Sequence, residues 1–206
     1  HPVNRSLVFV NKLDWIQAQV NPLLIVCPKQ INYNDANDYN LLCRWDQTSM
    51  AYEIYGLIDG LDMVYTHRIN ELAVAATYAI LELPDPLKGV CEILSAYQSD
   101  NPLEEVELEV LYAQILSRLM ISLTVSAINR RDHPENTYLQ ITDQKAWTLF
   151  DKWIQISPRL AHYSFRAACV KQPVPHQDSL IKKLRSLEFY PLLDAALLRS
   201  YHLFNF

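Results

Sequence analysis

Glycine is scarce in this 206-residue chain: three occur, Gly56, Gly60 and Gly89. No two of them are spaced as a phosphate-cradling glycine-rich loop requires, which excludes a P-loop or dinucleotide fingerprint. Dense Lys/Arg runs are also missing and the formal net charge is −5. The clustered cations that nucleic acid phosphates demand are therefore not there. The cysteines Cys27, Cys43, Cys91 and Cys169 lie far apart, with no C-x-x-C pair. Reduced, buried thiols are expected rather than a metal knuckle or a disulfide frame. The histidines show no H-x-x-x-H spacing. No apolar run approaches the roughly 20 residues that cross a bilayer, and no signal peptide pattern opens the chain. A cytoplasmic protein without a membrane or nucleic acid partner is expected.

What the chain does contain is apolar residues at 50% and charged residues at 20%, a globular composition with enough bulk for a core. Residues 11–20 read as a short helix, with an apolar run at 23–27 between Pro22 and Pro28. From Asn70, a plausible N-cap, helical spacing takes over through Leu72, Ala76, Ala79 and Ile80. Pro84 and Pro86 divide this helix from one over 87–97. A long helix over 104–128 begins with Glu104, Glu105, Glu107 and Glu109, which complement its dipole, and buries Leu108, Leu111, Ile115, Leu119, Ser122 and Val125. A loop over 130–140 leads to a helix capped by Thr142 that carries Trp147, Phe150 and Trp153. Trp147, Trp153 and Tyr138 are read as core aromatics. Ser157-Pro158 opens another helix reaching about Lys171. Two short helices, 178–187 and 191–198, precede an apolar end at Tyr201, Leu203, Phe204 and Phe206. That end needs a packing partner, an adjoining domain or a second copy. The expected class is mainly α with a small β-hairpin.

Residues 31–62 stand apart from this helical pattern. A short apolar strand runs into a loop of carboxylates and amides. A second strand follows, then a polar turn over 44–49 and a third strand over 51–58 that ends on Asp59 and Asp62. Asp35 and Asn40 are five apart, and Asp59 follows nineteen residues later. A hairpin joining the two segments would set Asn40 beside Asp59 on neighbouring strands. An amide and a carboxylate there supply hard oxygen ligands of the kind Mg²⁺ takes while holding phosphates. Asp35 is then placed to accept the proton of a hydroxyl attacking a phosphoryl group, the residue set of a kinase catalytic segment. Asn37 and Asp38 shape the loop or touch substrate. Asp62 is an outer contact to the metal or substrate amine, or simply a strand-end cap. Glu71, Arg118 and Asn129 are set aside as surface or packing residues.

The runs N-D-A-N-D-Y-N, G-L-I-D-x-x-D-M-V-Y and N-E-L-A-V-A-A-T-Y-A-I-L carry a resemblance to the aminoglycoside phosphotransferase and choline kinase-like superfamily. The hydroxylysine kinase-like branch, also found fused to class III aminotransferases, is the nearest in pattern. The resemblance continues through P-L-K-G-V-C-E-I-L-S-A-Y, R-L-M-I-S-L-T-V-S-A, N-T-Y-L-Q-I-T and S-P-R-L-A-H-Y-S-F-R-A-A-C. It implies a protein-kinase-like C-terminal lobe over 30–172, after a lead-in of 1–29 and before a helical tail or linker of 173–206. The family's N-terminal β-lobe, with its phosphate-gripping Lys, is expected to be missing. Tyr33 stands where relatives carry a His, and Gly60-Leu61 where Phe-Gly is usual. The implied activity is transfer of a phosphoryl group from ATP or GTP, with Mg²⁺, to the hydroxyl of a small amine-bearing molecule. The alternative is a non-catalytic, pseudokinase-like interaction or regulatory domain. A weaker third idea is a kinase that hands a phosphorylated amine to a neighbouring aminotransferase.

Overall fold

The structure, a computed structural model, describes residues 5–132 and 138–186. Its elements in chain order are α1 (Arg5–Trp15), a π-turn at Ile16–Val20, α2 (Asn21–Leu24), β1 (Lys29–Asn32), β2 (Leu41–Asp46), β3 (Ala51–Leu57), a 3₁₀ turn at Gly60–Asp62, β4 (Val64–His67), α3 (Ile69–Ala79), α4 (Pro86–Asp100), α5 (Glu105–Asp132), α6 (Tyr138–Trp153), α7 (Pro158–Ala168) and α8 (Gln177–Arg185). It is mostly helical with small antiparallel sheets, in keeping with the α+β class expected.

Helix α5 is the axis. The helices α3, α6 and α7 pack on it, and Leu108, Leu111, Ile115, Leu116 and Leu119 are buried to 1% exposure or less. By length and composition its 28 residues are apolar enough to cross a membrane, contrary to the reading that no such run exists. Here those side chains form the core instead. Tyr112 and Trp153 stack at 5.2 Å between ring centroids. Each donates to the other's backbone carbonyl, Tyr112 OH to Trp153 O and Trp153 Nε1 to Tyr112 O, both at 3.1 Å. Two large rings are thereby buried with their polar ends satisfied. The lead-in is part of this body: Phe9 meets Phe150 at 5.8 Å, Trp15 meets Tyr112 at 6.1 Å, and Arg5 Nη2 reaches Asp151 Oδ2 at 2.6 Å.

Several expected boundaries move. The first helix begins at Arg5 rather than near Asn11. Asn70 lies inside α3, whose N-cap is Arg68, and its Nδ2 turns back to Thr66 Oγ1 at 3.3 Å. Asp85 caps α4 by accepting from Lys88 N at 3.0 Å, with Pro86 in the first turn where its missing N–H costs nothing. The next helix runs on to Asp132, so the expected loop is shorter at its start, and Tyr138 rather than Thr142 begins α6. Ser157 occupies the N-cap of α7 without a side-chain cap bond, and the helix ends at Ala168. On α5, Val125 is half-exposed rather than buried, whereas Glu107 is fully buried. Cys43 is exposed; burial pushes the Cys27 thiol to about 11 and the Cys91 thiol to about 12, leaving both protonated. His133, Pro134, Asn136 and the expected helix over 191–198 lie outside the described residues.

The buried Glu107 carboxylate is engaged on both oxygens inside the core. Arg68 donates to it through Nε at 3.0 Å and through Nη2, while Glu104 N donates to Oε2 at 2.9 Å. The last bond is the half of a capping box that satisfies the N-cap amide. Arg68 also ties in the sheet, its N–H donating to Pro28 O at 2.8 Å.

The strands form two separate antiparallel pairs. One is the expected hairpin, β2 with β3, in register Leu41↔Leu57 to Asp46↔Ala51 with a bulge at Leu42/Cys43. Its turn is tighter than expected, since Arg44, Trp45 and Asp46 belong to the strand. The Asp46 carboxylate accepts from Thr48 N at 3.1 Å and Ser49 N at 2.9 Å, closing the turn. The other pair joins β1 to β4, Lys29↔His67 to Asn32↔Val64. It brackets the hairpin and brings both of its ends to one place.

Candidate functional site

That place is the junction of the 33–40 loop with the end of β3. The loop is fixed at its root by Asn32, buried to 1% exposure, whose Nδ2 donates to His67 O at 2.8 Å. Asn34 takes a left-handed conformation, φ 68°, and its N–H donates to Glu71 Oε2 at 2.9 Å. Asn tolerates that region better than most residues. The turn then exposes the Asp35 side chain to three donors.

Asn40 Nδ2 donates to Asp35 Oδ2 at 2.9 Å and to Asp35 O at 3.0 Å. Asn37 Nδ2 donates to the same two atoms at 3.0 Å and 3.2 Å, while its Oδ1 accepts from Tyr39 N at 2.9 Å. Arg118, reaching in from the middle of α5, donates through Nη2 to Asp35 Oδ1 at 2.9 Å. Oδ2 thus accepts from two side-chain donors and Oδ1 from one. The carboxylate is held in one orientation by groups from the loop and from the core helix.

Asn40 N donates to Asn37 O and Ile58 N donates to Asn40 O, both at 3.1 Å. Asn40 is thus opposite Ile58, and Asp59 comes one residue beyond rather than directly alongside. Asp59 itself is left-handed, φ 61° and ψ 60°, and leads into the Gly60–Asp62 turn. A non-glycine residue held in that region is strained. The Tyr33 hydroxyl donates to Ile58 O, tying the loop to the residue before Asp59. Burial raises the Tyr33 pKa, and the carboxylates of Asp35, Asp59 and Glu71 push the same way against a hydrogen bond from Asn40. One phenol thus feels the charges of both loops.

Asn40 fits a metal-binding role chemically. Its Nδ2 donates to Asp35 Oδ2 and O, and an amide oxygen is a hard ligand for a cation. The exposed Asp59 carboxylate follows the next backbone link. An amide oxygen and a carboxylate suit Mg²⁺, which keeps most of its shell for water and phosphate oxygens. Among the described residues no three His, Cys, Asp or Glu side chains converge as a metal cage. Asp38 and Asp62 are exposed and stand at the rim. Lys145 of α6, whose pKa is raised first by its hydrogen bond to Glu82, also feels Asp38.

The structure adds residues that the sequence reading set aside. Arg118 and Glu71 both bond the loop, across sequence separations of 83 and 37 residues. Tyr78 joins them, its hydroxyl accepting from Arg118 Nη2 at 2.6 Å. A lone Arg within the apolar face of a helix was the available signal.

Comparison with known proteins returns hydroxylysine kinases. The chain is 37% identical to that of Danio rerio over 134 residues, 65% of this chain and 38% of the relative. It is 33% identical to that of Xenopus laevis over 133 residues, 62% of this chain and 36% of the relative. It is 31% identical to that of Mus musculus over 121 residues, 57% and 32% respectively. The chain thus spans about a third of the length of the curated relatives it matches. These similarities support a kinase-like family. No family model matches the chain, and no solved structure matches it.

Proposed function

We propose that this chain carries the acceptor and metal-binding part of a small-molecule kinase. On this reading it moves the γ-phosphoryl of ATP or GTP to the hydroxyl of an amine-bearing, hydroxylysine-like compound. The observation that carries the reading is Asn40: its amide donates twice to Asp35, while its backbone carbonyl accepts from Ile58, the residue before Asp59. That is the division of labour a base and an adjoining metal ligand need. The similarity to hydroxylysine kinases supports the acceptor class.

Asp35 Oδ1 accepts the acceptor's O–H and takes its proton as the hydroxyl oxygen bonds to the γ-phosphorus. The bond from that phosphorus to the β–γ bridging oxygen breaks, and the nucleoside diphosphate leaves. Asn40 and Asp59 would hold Mg²⁺, which when bound neutralises charge on the phosphate oxygens. Arg118, Asn37 and Asn40 keep Asp35 from turning, so that positioning supplies most of what the residues contribute. Asp38 and Asp62 offer rim carboxylates to the acceptor's ammonium. Residues 30–172 would form the kinase-like lobe, with the lead-in packed beneath it.

A second reading is a binding domain without catalysis. Its support is the hairpin surface, where Tyr52, Ile54, Tyr55 and Leu57 are all more than half exposed, an apolar area that suits an adjoining domain. Calorimetry of ATP and GTP with and without Mg²⁺, on the native full-length protein and its Asp59→Ala variant, separates the two. Mg²⁺-dependent binding that vanishes in the variant, followed by phosphorylation of hydroxylysine, is the expected result. No nucleotide binding by either protein would leave the binding domain.

A further inference from the structure

Ile58 stands one residue beyond the end of β3 and directly before Asp59. Its two backbone groups are met from opposite ends of the Asp35 loop. Its N–H donates to Asn40 O at 3.1 Å, and its carbonyl accepts from the Tyr33 hydroxyl. Tyr33 itself sits between two anchored neighbours. Asn32, buried to 1% exposure, donates to His67 O at 2.8 Å, and Asn34 N donates to Glu71 Oε2 at 2.9 Å. The phenol therefore starts from a root tied to β4 and to α3, and it reaches a carbonyl 25 residues further along the chain.

The Ile58 carbonyl and the Asp59 N–H belong to one planar peptide. A bond to the carbonyl oxygen fixes the orientation of that plane, and the plane is the reference from which Asp59 departs at φ 61°. A left-handed residue other than glycine persists where its surroundings over-determine it. Turning the plane over would carry φ of Asp59 through about 180°, from 61° to about −119°, into the extended region that L-residues favour. That turn breaks the bond from Tyr33 but leaves the one from Ile58 N to Asn40 O intact, because the latter belongs to the preceding peptide. The Tyr33 hydroxyl is the contact that opposes it.

We infer that the Tyr33 hydroxyl is a latch on the peptide between Ile58 and Asp59, which keeps Asp59 left-handed and at a fixed place relative to Asn40. This rests on the phosphotransferase reading and adds a positioning residue to it. Tyr33 acts on the metal-binding half of the site, through Asp59. Asp35 has its own holders in Asn37, Asn40 and Arg118. With the latch removed, the plane is free to turn and the strain at Asp59 is relieved. Asn40 and Asp59 then no longer present one fixed pair of oxygens to a cation, and binding has to order them first.

The test is Tyr33→Phe in the full-length protein, a change that keeps the ring and removes the hydroxyl. In metal-free protein carrying isotope-labelled aspartate, the coupling between the Asp59 amide and α protons is read by NMR. It should rise as φ 61° gives way to negative φ. Calorimetric titration of Mg²⁺ into protein holding ATP or GTP should show binding weakened about fivefold to tenfold, the loss of one hydrogen bond. At saturating Mg²⁺ kcat should fall by less than about threefold, since Asp35 keeps its donors. An Asp59 coupling that does not change overturns the latch. So does unchanged Mg²⁺ binding with a much lower kcat, which would make Tyr33 a support for Asp35. Failure of the phosphotransferase reading looks different: the wild type itself then binds no nucleotide with Mg²⁺, and the Asp59 coupling still decides the latch.

Discussion

Asn40 Nδ2 makes two hydrogen bonds to Asp35, one to the carboxylate at 2.9 Å and one to the backbone carbonyl at 3.0 Å. Asn40→Ala removes both and strips the loop of its one buried amide. Stability should fall by about 1–2 kcal/mol, and phosphoryl transfer by about 100-fold or more as Asp35 loses its fixed orientation. Denaturant titration and steady-state rates on the same preparation read the two effects separately. A rate loss no larger than the loss of folded protein would contradict the positioning role.

Asp59 gives a prediction in which stability and function part company. Glycine accepts φ 61° without strain, so Asp59→Gly should leave stability unchanged or raise it by up to about 1 kcal/mol. Mg²⁺-dependent nucleotide binding should nevertheless disappear. A thermal melt and a calorimetric titration decide it; a destabilised variant would mean that the left-handed turn is held by the carboxylate itself.

The Arg68–Glu107 pair is a test of the core rather than the site. Glu107 is fully buried and receives Arg68 through two nitrogens. Arg68→Ala leaves that carboxylate uncompensated and should cost about 3–5 kcal/mol in chemical denaturation. Replacing both partners with apolar residues, Arg68→Met with Glu107→Leu, should recover most of the loss.

Acid sensitivity should be traceable in part to Glu105. Burial works to raise its pKa, but hydrogen bonds from Arg166 and from His162, at 2.9 Å, hold it below the ordinary 4.5. A depressed carboxylate contributes stability that is present above about pH 4.5 and lost as pH falls through the folded value. Because the side chain is half-exposed, the contribution should stay under about 1 kcal/mol. Glu105→Gln should lower the denaturation midpoint at neutral pH and flatten its fall below pH 4.5. An unchanged slope would assign the acid loss to other groups.

The Asx-rich loop and its hairpin could be read from the sequence because their signals are local. Asx residues crowd the six-residue span from Asp35 to Asn40, and β-favouring residues flank the turn closed by Asp46. What could not be read depends on distance. Arg118 and Glu71 look like any polar residue on a helix until the fold brings them to the loop from 83 and 37 positions away. Periodicity located the buried face of α5 but placed Glu107 among the dipole-complementing acids, because its partner Arg68 lies 39 residues upstream. The strand β4 escaped notice for the same reason: four residues, paired with β1 across the whole hairpin. Asn70 carried the right chemistry for a cap, yet Arg68 begins the helix because its own backbone is bonded to Pro28.

Glu107 and Arg118 are eleven residues apart on one unbroken helix, 118 less 107. At 100° and 1.5 Å per residue that is three turns to within about 20°, and a reach of about 16 Å. The two ion pairs that anchor the sheet side of the molecule therefore lie along one stripe of α5, which works as a ruler. One end clamps the entrance to α3 and the other sets the height of Asp35. A single residue inserted between them would swing Arg118 about 100° off the stripe. The loop would lose its cation although every residue of the loop itself was intact.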